Sequence, residues 1–120
     1  MATLSIAWSI GDDVVRWTHG STVIEKRYEG EIGSAVALQD SSGVAVVEPA
    51  NHGGLNAVVF NADGTERFRV EPPVLVRHVA FQQMYYVRDE LTAIAITRGN
   101  DWAAVVDEST GDQIRAYETR

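Results

Sequence analysis

The chain has 120 residues, 45% apolar and 22% charged. These are ordinary globular values, so low-complexity disorder is excluded for most of the length and a single domain accounts for it. Seventeen acids against ten bases leave a formal net charge of −7, which argues against direct nucleic-acid binding, since phosphate contacts need clustered Lys and Arg. There is no cysteine, which excludes a disulfide, a Cys-zinc site, an iron–sulfur cluster and a thiol nucleophile.

The hydrophobic pattern has period two. Leu4, Ile6, Trp8 and Ile10 alternate with small or polar residues and predict a strand with its large apolar side chains on one face. Gly11-Asp12-Asp13 breaks it. Val15 and Trp17 alternate with Arg16 and Thr18 as a second strand. After His19-Gly20-Ser21, Thr22–Tyr28 reads as an edge strand, β-branched and aromatic but polar on both faces in places. Gly30 and Gly33 bracket a loop. Ala35–Gln39 and Val44–Glu48 form a hairpin about Asp40-Ser41-Ser42-Gly43. Ala57–Phe60 and Thr65–Val70 form another about Asn61-Ala62-Asp63-Gly64. Glycine here supplies the positive φ of tight hairpin turns. Pro72-Pro73 ends that run, because proline cannot donate to a ladder.

Val74–Val79 is a short predicted strand. Over Ala80–Tyr86, Phe81, Met84, Tyr85 and Arg88 have helical spacing, whereas Met84-Tyr85-Tyr86-Val87 has strand composition. Strand is preferred, because Arg88-Asp89-Glu90 and the Leu91–Thr97 run then complete a hairpin. Arg98-Gly99-Asn100-Asp101 is a turn. Ala104–Val106 and Gln113–Tyr117 close a last hairpin around Ser109-Thr110-Gly111. About ten short strands separated by turns predict an all-β fold. It is an antiparallel meander over residues 1–120, built of hairpins and forming an open sandwich or half-barrel. The hairpins are propeller-like in style, but a closed propeller needs at least about four blades of four strands, more than this length supplies. The N-terminus lacks a basic stretch, and no apolar run approaches the ~18–20 residues of a membrane span. A cytoplasmic protein with no membrane partner is therefore expected.

In an up-and-down meander, alternate turns fall at opposite ends. One end then collects Asp40, Asp63, Asp89, Glu90, Asp107, Glu108 and Asp112, and the other Asp12, Asp13, Glu29, Glu31, Glu48, Glu71 and Asp101. Arg16, Lys26, Arg27, Arg67, Arg69 and Arg115 fall within strands. Aspartate favours turns for local hydrogen-bonding reasons, which explains any single cluster. A net acidic excess also focuses basic partners.

Catalytic signals are absent at the level of motif. His19, His52 and His78 lack the spacing of a metal pair. Asn51-His52-Gly53-Gly54 reads as a connection, and Asn61–Glu66 lacks the end ligands of a calcium loop. Nucleophile-elbow, Walker and dinucleotide fingerprints do not occur. No enzyme and no cofactor are expected. An enzymatic rival would need His52 or His78 joined to a carboxylate, for example His52 with Asp101. Trp8, Trp17, Phe60 and Phe68 are assigned to the core. Tyr85 and Tyr86, neighbours on a strand, send their rings to opposite faces, and an exposed one beside Asp89-Glu90 would suit an interface anchor.

Small, acidic, cysteine-free and made of hairpins, above all across Ala57–Pro73 and Leu91–Tyr117, the chain resembles the immunity proteins of bacterial toxin systems, including those of contact-dependent inhibition. The resemblance implies a protein-binding inhibitor of a basic toxin domain, commonly a nuclease. It would occlude the toxin's substrate cleft and pair its Lys and Arg with carboxylates. The expected partner-binding residues are Tyr85, Tyr86, Asp89, Glu90, Asp107, Glu108 and Asp112. The alternative is a ligand- or glycan-binding β-module or accessory subunit that stacks its ligand on Trp102 and a tyrosine.

Overall fold

The computed structural model describes residues 4–52, 54–73 and 78–119. Along them run β1 (Ile6–Ala7), β2 (Val14–His19), β3 (Thr22–Arg27), β4 (Ser34–Ala37), β5 (Gly43–Val47), a 3-10 turn (Ala50–His52), β6 (Ala57–Asn61), β7 (Glu66–Arg69), β8 (His78–Val87), β9 (Glu90–Thr97), β10 (Trp102–Val106) and β11 (Gln113–Glu118). Each strand pairs antiparallel with its chain neighbour, within three successive sheets: β1-β2-β3, β4-β5-β6-β7 and β8-β9-β10-β11. The fold is an all-β antiparallel meander that does not close into a barrel.

The sheets stack face to face, with β4–β7 in the middle. Composition explains the order. In β5 every residue of Gly43–Val47 is buried, and so is Ala57–Phe60 in β6. A strand covered on both faces reads as a continuous apolar run. Ala45, Val47, Ala57 and Val59 point to a first core shared with Phe81, Met84, Leu91, Ala93 and Ala95 of the third sheet. Val44, Val46, Val58 and Phe60 point the other way, to a second core with Val15 and Trp17 of the first sheet and the loop residue Ile32. The leading strands converge, with β1 near β4 and β4 near β8.

Buried polar groups pin the layers. Asn56 donates from Nδ2 to the Glu48 and Phe81 carbonyls (2.8 and 2.9 Å), and its Oδ1 accepts from the Phe81 amide at 2.7 Å. Glu48, almost wholly buried, is held by Arg69 Nη1 at 2.6 Å and by the Tyr28 hydroxyl at 2.9 Å. Burial, and then the Glu48 charge, push the Tyr28 hydroxyl well above its ordinary pKa. Paired and hydrogen-bonded, a buried carboxylate of this kind is tolerated, and breaking the pair would leave it exposed to the full desolvation penalty.

One expectation changes, one falls mostly outside the described residues, and one holds with a bulge added. Ile10 is not a core residue but 92% exposed. The chain turns at Ser9, whose carbonyl accepts from the Asp12 amide (3.0 Å) and whose amide donates to Asp12 Oδ2 (2.9 Å), with Gly11 at φ 100. The strand stops short of Ile10, while Leu4, Ile6 and Trp8 still pack on the second core. Of the predicted strand Val74–Val79, residues 74–77 lie outside the described residues, and His78 and Val79 open β8. The Ala80–Tyr86 stretch is strand, and its helix-like spacing has a cause. The register slips between Phe81 and Gln83, so Gln82 is an extra bulge residue, and Phe81 and Met84, three apart, share the core face. Gly33 allows this bulge to seat, since a Cβ there would lie 2.7 Å from the Gln82 carbonyl.

Candidate protein-binding surface

Turn-to-turn hydrogen bonds establish the two ends of the meander. At one end the Ile32 amide donates to the Asp12 carbonyl and Asn51 Nδ2 to the Glu29 carbonyl. At the other, the turns of all three sheets meet. Trp17 Nε1 donates to the Ala62 carbonyl at 2.8 Å. Arg67 donates to Asn61 Oδ1, to the Ser42 carbonyl and to the Glu108 carbonyl at 2.6, 2.9 and 3.0 Å. The β10–β11 turn lies flat on the middle sheet, since a Cβ at Gly111 (φ 81) would meet the Phe68 ring at 2.4 Å.

The acids at this second end are turn formers first. Asp40, Asp63 and Asp107 each accept from backbone amides two residues on, Ser42, Thr65 and Ser109, at 2.9, 3.0 and 2.8 Å. These side chains close their own turns, as the local preference of aspartate dictates. Bonds from the Ser42 and Thr65 hydroxyls and amides hold Asp40 and Asp63 below the usual carboxylate range, so both keep their charge. Asp89 sits at the β8–β9 tip, where Arg88 (φ 49) and Asp89 (φ 66) both take the left-handed conformation of a tight two-residue turn.

The expected site residues divide into two groups. Tyr86, Asp89, Glu108, Asp107 and Asp112 belong to the acidic end. There the Tyr86 hydroxyl donates to Glu108 Oε1 at 2.5 Å and accepts from the Gln39 amide at 3.0 Å, while Gln39 Nε2 donates to Asp89 Oδ1 at 3.2 Å. Burial, and then the bond to Glu108, raise the Tyr86 hydroxyl above its ordinary pKa. Tyr86 also packs on the first core, so it ties the middle and third sheets together. Asp107 and Asp112 face solvent.

Tyr85 and Glu90 lie instead on the outer face of the third sheet. Register places Tyr85, Thr92, Val105 and Arg115 in one cross-strand row, and Gln83, Ile94, Ala103 and Tyr117 in the next. Glu90 and Arg115 pair through both carboxylate oxygens, the second at 3.0 Å, and this bond holds Glu90 below the usual carboxylate range. Arg115, Tyr117, Thr92 and Val105 were not singled out by sequence reading. Their signal is the period-two alternation of β9, β10 and β11 once the inner face of the third sheet is known. Together with Val87, Arg88 and Glu90 they line a hollow of about 320 Å³.

Trp102, the stacking platform of the ligand-binding alternative, packs against the first core. Among the described residues no group of three or more His, Asp or Glu is assembled that could hold a metal ion. No described helix is long and apolar enough to cross a membrane. The His52 side chain lies outside the described residues.

A chain of a solved complex, "Structure of Tne2 in complex with Tni2", is similar to this one, with a TM-score of 0.66 and 18% identity over 89% of this chain and 77% of that chain. At that identity the likeness is one of fold. No protein-family model matches the chain, and no curated protein matches it.

Proposed function

We propose that the chain is a cytoplasmic, non-catalytic immunity protein. It holds a basic bacterial toxin domain, of the contact-dependent inhibition type and with nuclease activity in the commonest case, and occludes its substrate cleft. The observation that carries this reading is the fate of the charges. Six basic side chains are engaged by the chain's own groups: Arg69 by Glu48, Arg67 by the Ser42 and Glu108 carbonyls and Asn61 Oδ1, Lys26 by the Gly64 carbonyl and the Phe60 ring, and, at the surface, Arg115 by Glu90 and Arg16 and Arg27 by Glu25; Arg88 and Arg98 are exposed. The carboxylates of Asp89, Asp107 and Asp112 stay at the surface of one end. That end is cross-linked between sheets and so is ordered before any partner arrives, which lowers the cost of binding. Such a field speeds encounter with a cationic protein. The solved neighbour comes from a complex of one protein with another, the kind of arrangement an inhibitor requires.

The test is neutralisation. The chain is immobilised and exposed to extract of its source cells, and the retained basic protein is purified and assayed for toxicity with and without added chain. A stoichiometric complex and loss of that activity are expected. A retained protein that stays fully active in the complex would overturn the reading.

A further inference from the structure

The outer faces of the two end sheets both carry ion pairs, Glu25 with Arg16 and Arg27 on the first and Glu90 with Arg115 on the third, but they differ in what lies beneath. That of the third sheet has small or buried residues along its middle, with Ala103 at 0% and Thr92 and Val105 at 1% exposure, although no strand among the described residues lies over them. The long side chains stand at its two margins. Tyr85 on β8 and Tyr117 on β11 keep 43% and 42% of their surface exposed; they stand in adjacent cross-strand rows, and Tyr117 borders the hollow over Thr92 and Val105. Desolvated small residues flanked by partly exposed tyrosines have the composition of an interface centre.

Charge selects the occupant. The turns that close this sheet at one end carry Asp89, Asp107 and Asp112 against one exposed cation, Arg88; Arg115 on the face is paired with Glu90, and the whole chain carries −7, so a second copy is repelled and a cationic protein is attracted. We propose that the outer face of β8–β11 is the seat of the basic partner. Tyr85 and Tyr117 take its apolar centre, and Asp89 and Asp112 pair its Lys and Arg at the rim. This rests on the function proposed above and names the surface that performs it.

The probe is the basic protein recovered and purified in the neutralisation experiment, titrated against wild type, Tyr85→Ala, Tyr117→Ala, Gln83→Arg and the double variant Asp89→Lys/Asp112→Lys. Gln83 is exposed on the same face, so its replacement adds a repelling charge without touching the core. Thermal melts confirm that each variant is folded. Each tyrosine variant should weaken binding about 30-fold or more, mainly through faster dissociation, and Gln83→Arg should weaken it too. The double variant should slow association and reduce its salt dependence. Wild-type affinity in the face variants, with binding lost only in the double variant, would put the partner on the turn tips and overturn the inference while leaving the function standing. A wild-type dimer in sedimentation that the tyrosine variants dissociate would give the face to a second copy and overturn it as well. Failure of wild type itself to retain any basic protein would instead overturn the function.

Discussion

The Tyr86 hydroxyl stands between a donor on the middle sheet, the Gln39 amide, and an acceptor on the third, Glu108 Oε1. Replacing it with phenylalanine keeps the packing on the first core but leaves a half-buried carboxylate and an amide each short of a partner. The expected cost of Tyr86→Phe at neutral pH is about 1–2 kcal/mol, read from urea melts. The pH dependence follows from the direction of the shift. The folded hydroxyl holds its proton to a higher pH than the unfolded one, which ionises near about 10. Its contribution is therefore complete below that value and is lost as pH rises through the folded pKa. Wild type should lose more stability than Tyr86→Phe between pH 7 and about pH 10.5, so the gap between the two curves narrows. A constant gap would mean that the hydroxyl does not hold its proton against Glu108. Tyr28, raised by burial and by Glu48, keeps a share of the same alkaline loss in both proteins.

Elements were legible where the physics is local. Turn chemistry marks Asp40, Asp63 and Asp107 as closers of their own turns, and the structure gives each an amide within 3.0 Å. Strand number and the alternation of turns between two ends follow from the same punctuation. Relations between sheets were not legible. An all-buried β5 says that Val46 and Val47 face opposite covered sides but not what covers them: the first sheet lies over Val46 and the third over Val47. The bulge at Gln82 hid the phase of β8, because one extra residue converts period two into an apparent helical spacing. For the same reason the acidic half of the candidate surface could be read from turns, whereas Arg115 and Tyr117 needed the knowledge of which side of β11 faces the core. The β8–β9 hairpin carries a prediction at this scale. Arg88 and Asp89 occupy left-handed positions that Asn and Gly take at lower cost. The exchange Arg88→Asn with Asp89→Gly should raise stability by about 1 kcal/mol, seen as a higher melting temperature. A lower melting temperature would show that the Gln39–Asp89 bond outweighs the backbone strain.

At the scale of the molecule, the middle sheet decides how the protein unfolds. β5 and β6 supply alternate residues to both cores, so neither core can open without disordering strands that the other depends on. A stack with a shared central layer should therefore unfold in one transition, as small single domains do. The tryptophans report the cores separately: Trp17 and Trp8 lie in or against the second core, and Trp102 against the first. Trp102→Phe leaves fluorescence from the second core alone, and Trp8→Phe with Trp17→Phe leaves that of the first. Denaturant curves from the two proteins, each compared with its own circular dichroism, should coincide. Leu91→Ala, a truncation in the first core at 1% exposure, should cost about 2–5 kcal/mol. It should lower the midpoint reported by Trp8 and Trp17 as much as that reported by Trp102, even though neither touches the cavity. If the second-core signal kept its midpoint while the first moved, the layers would be energetically separate. The third sheet could then loosen on its own, and the face proposed to seat the partner would not be the rigid surface that its pinned turns imply.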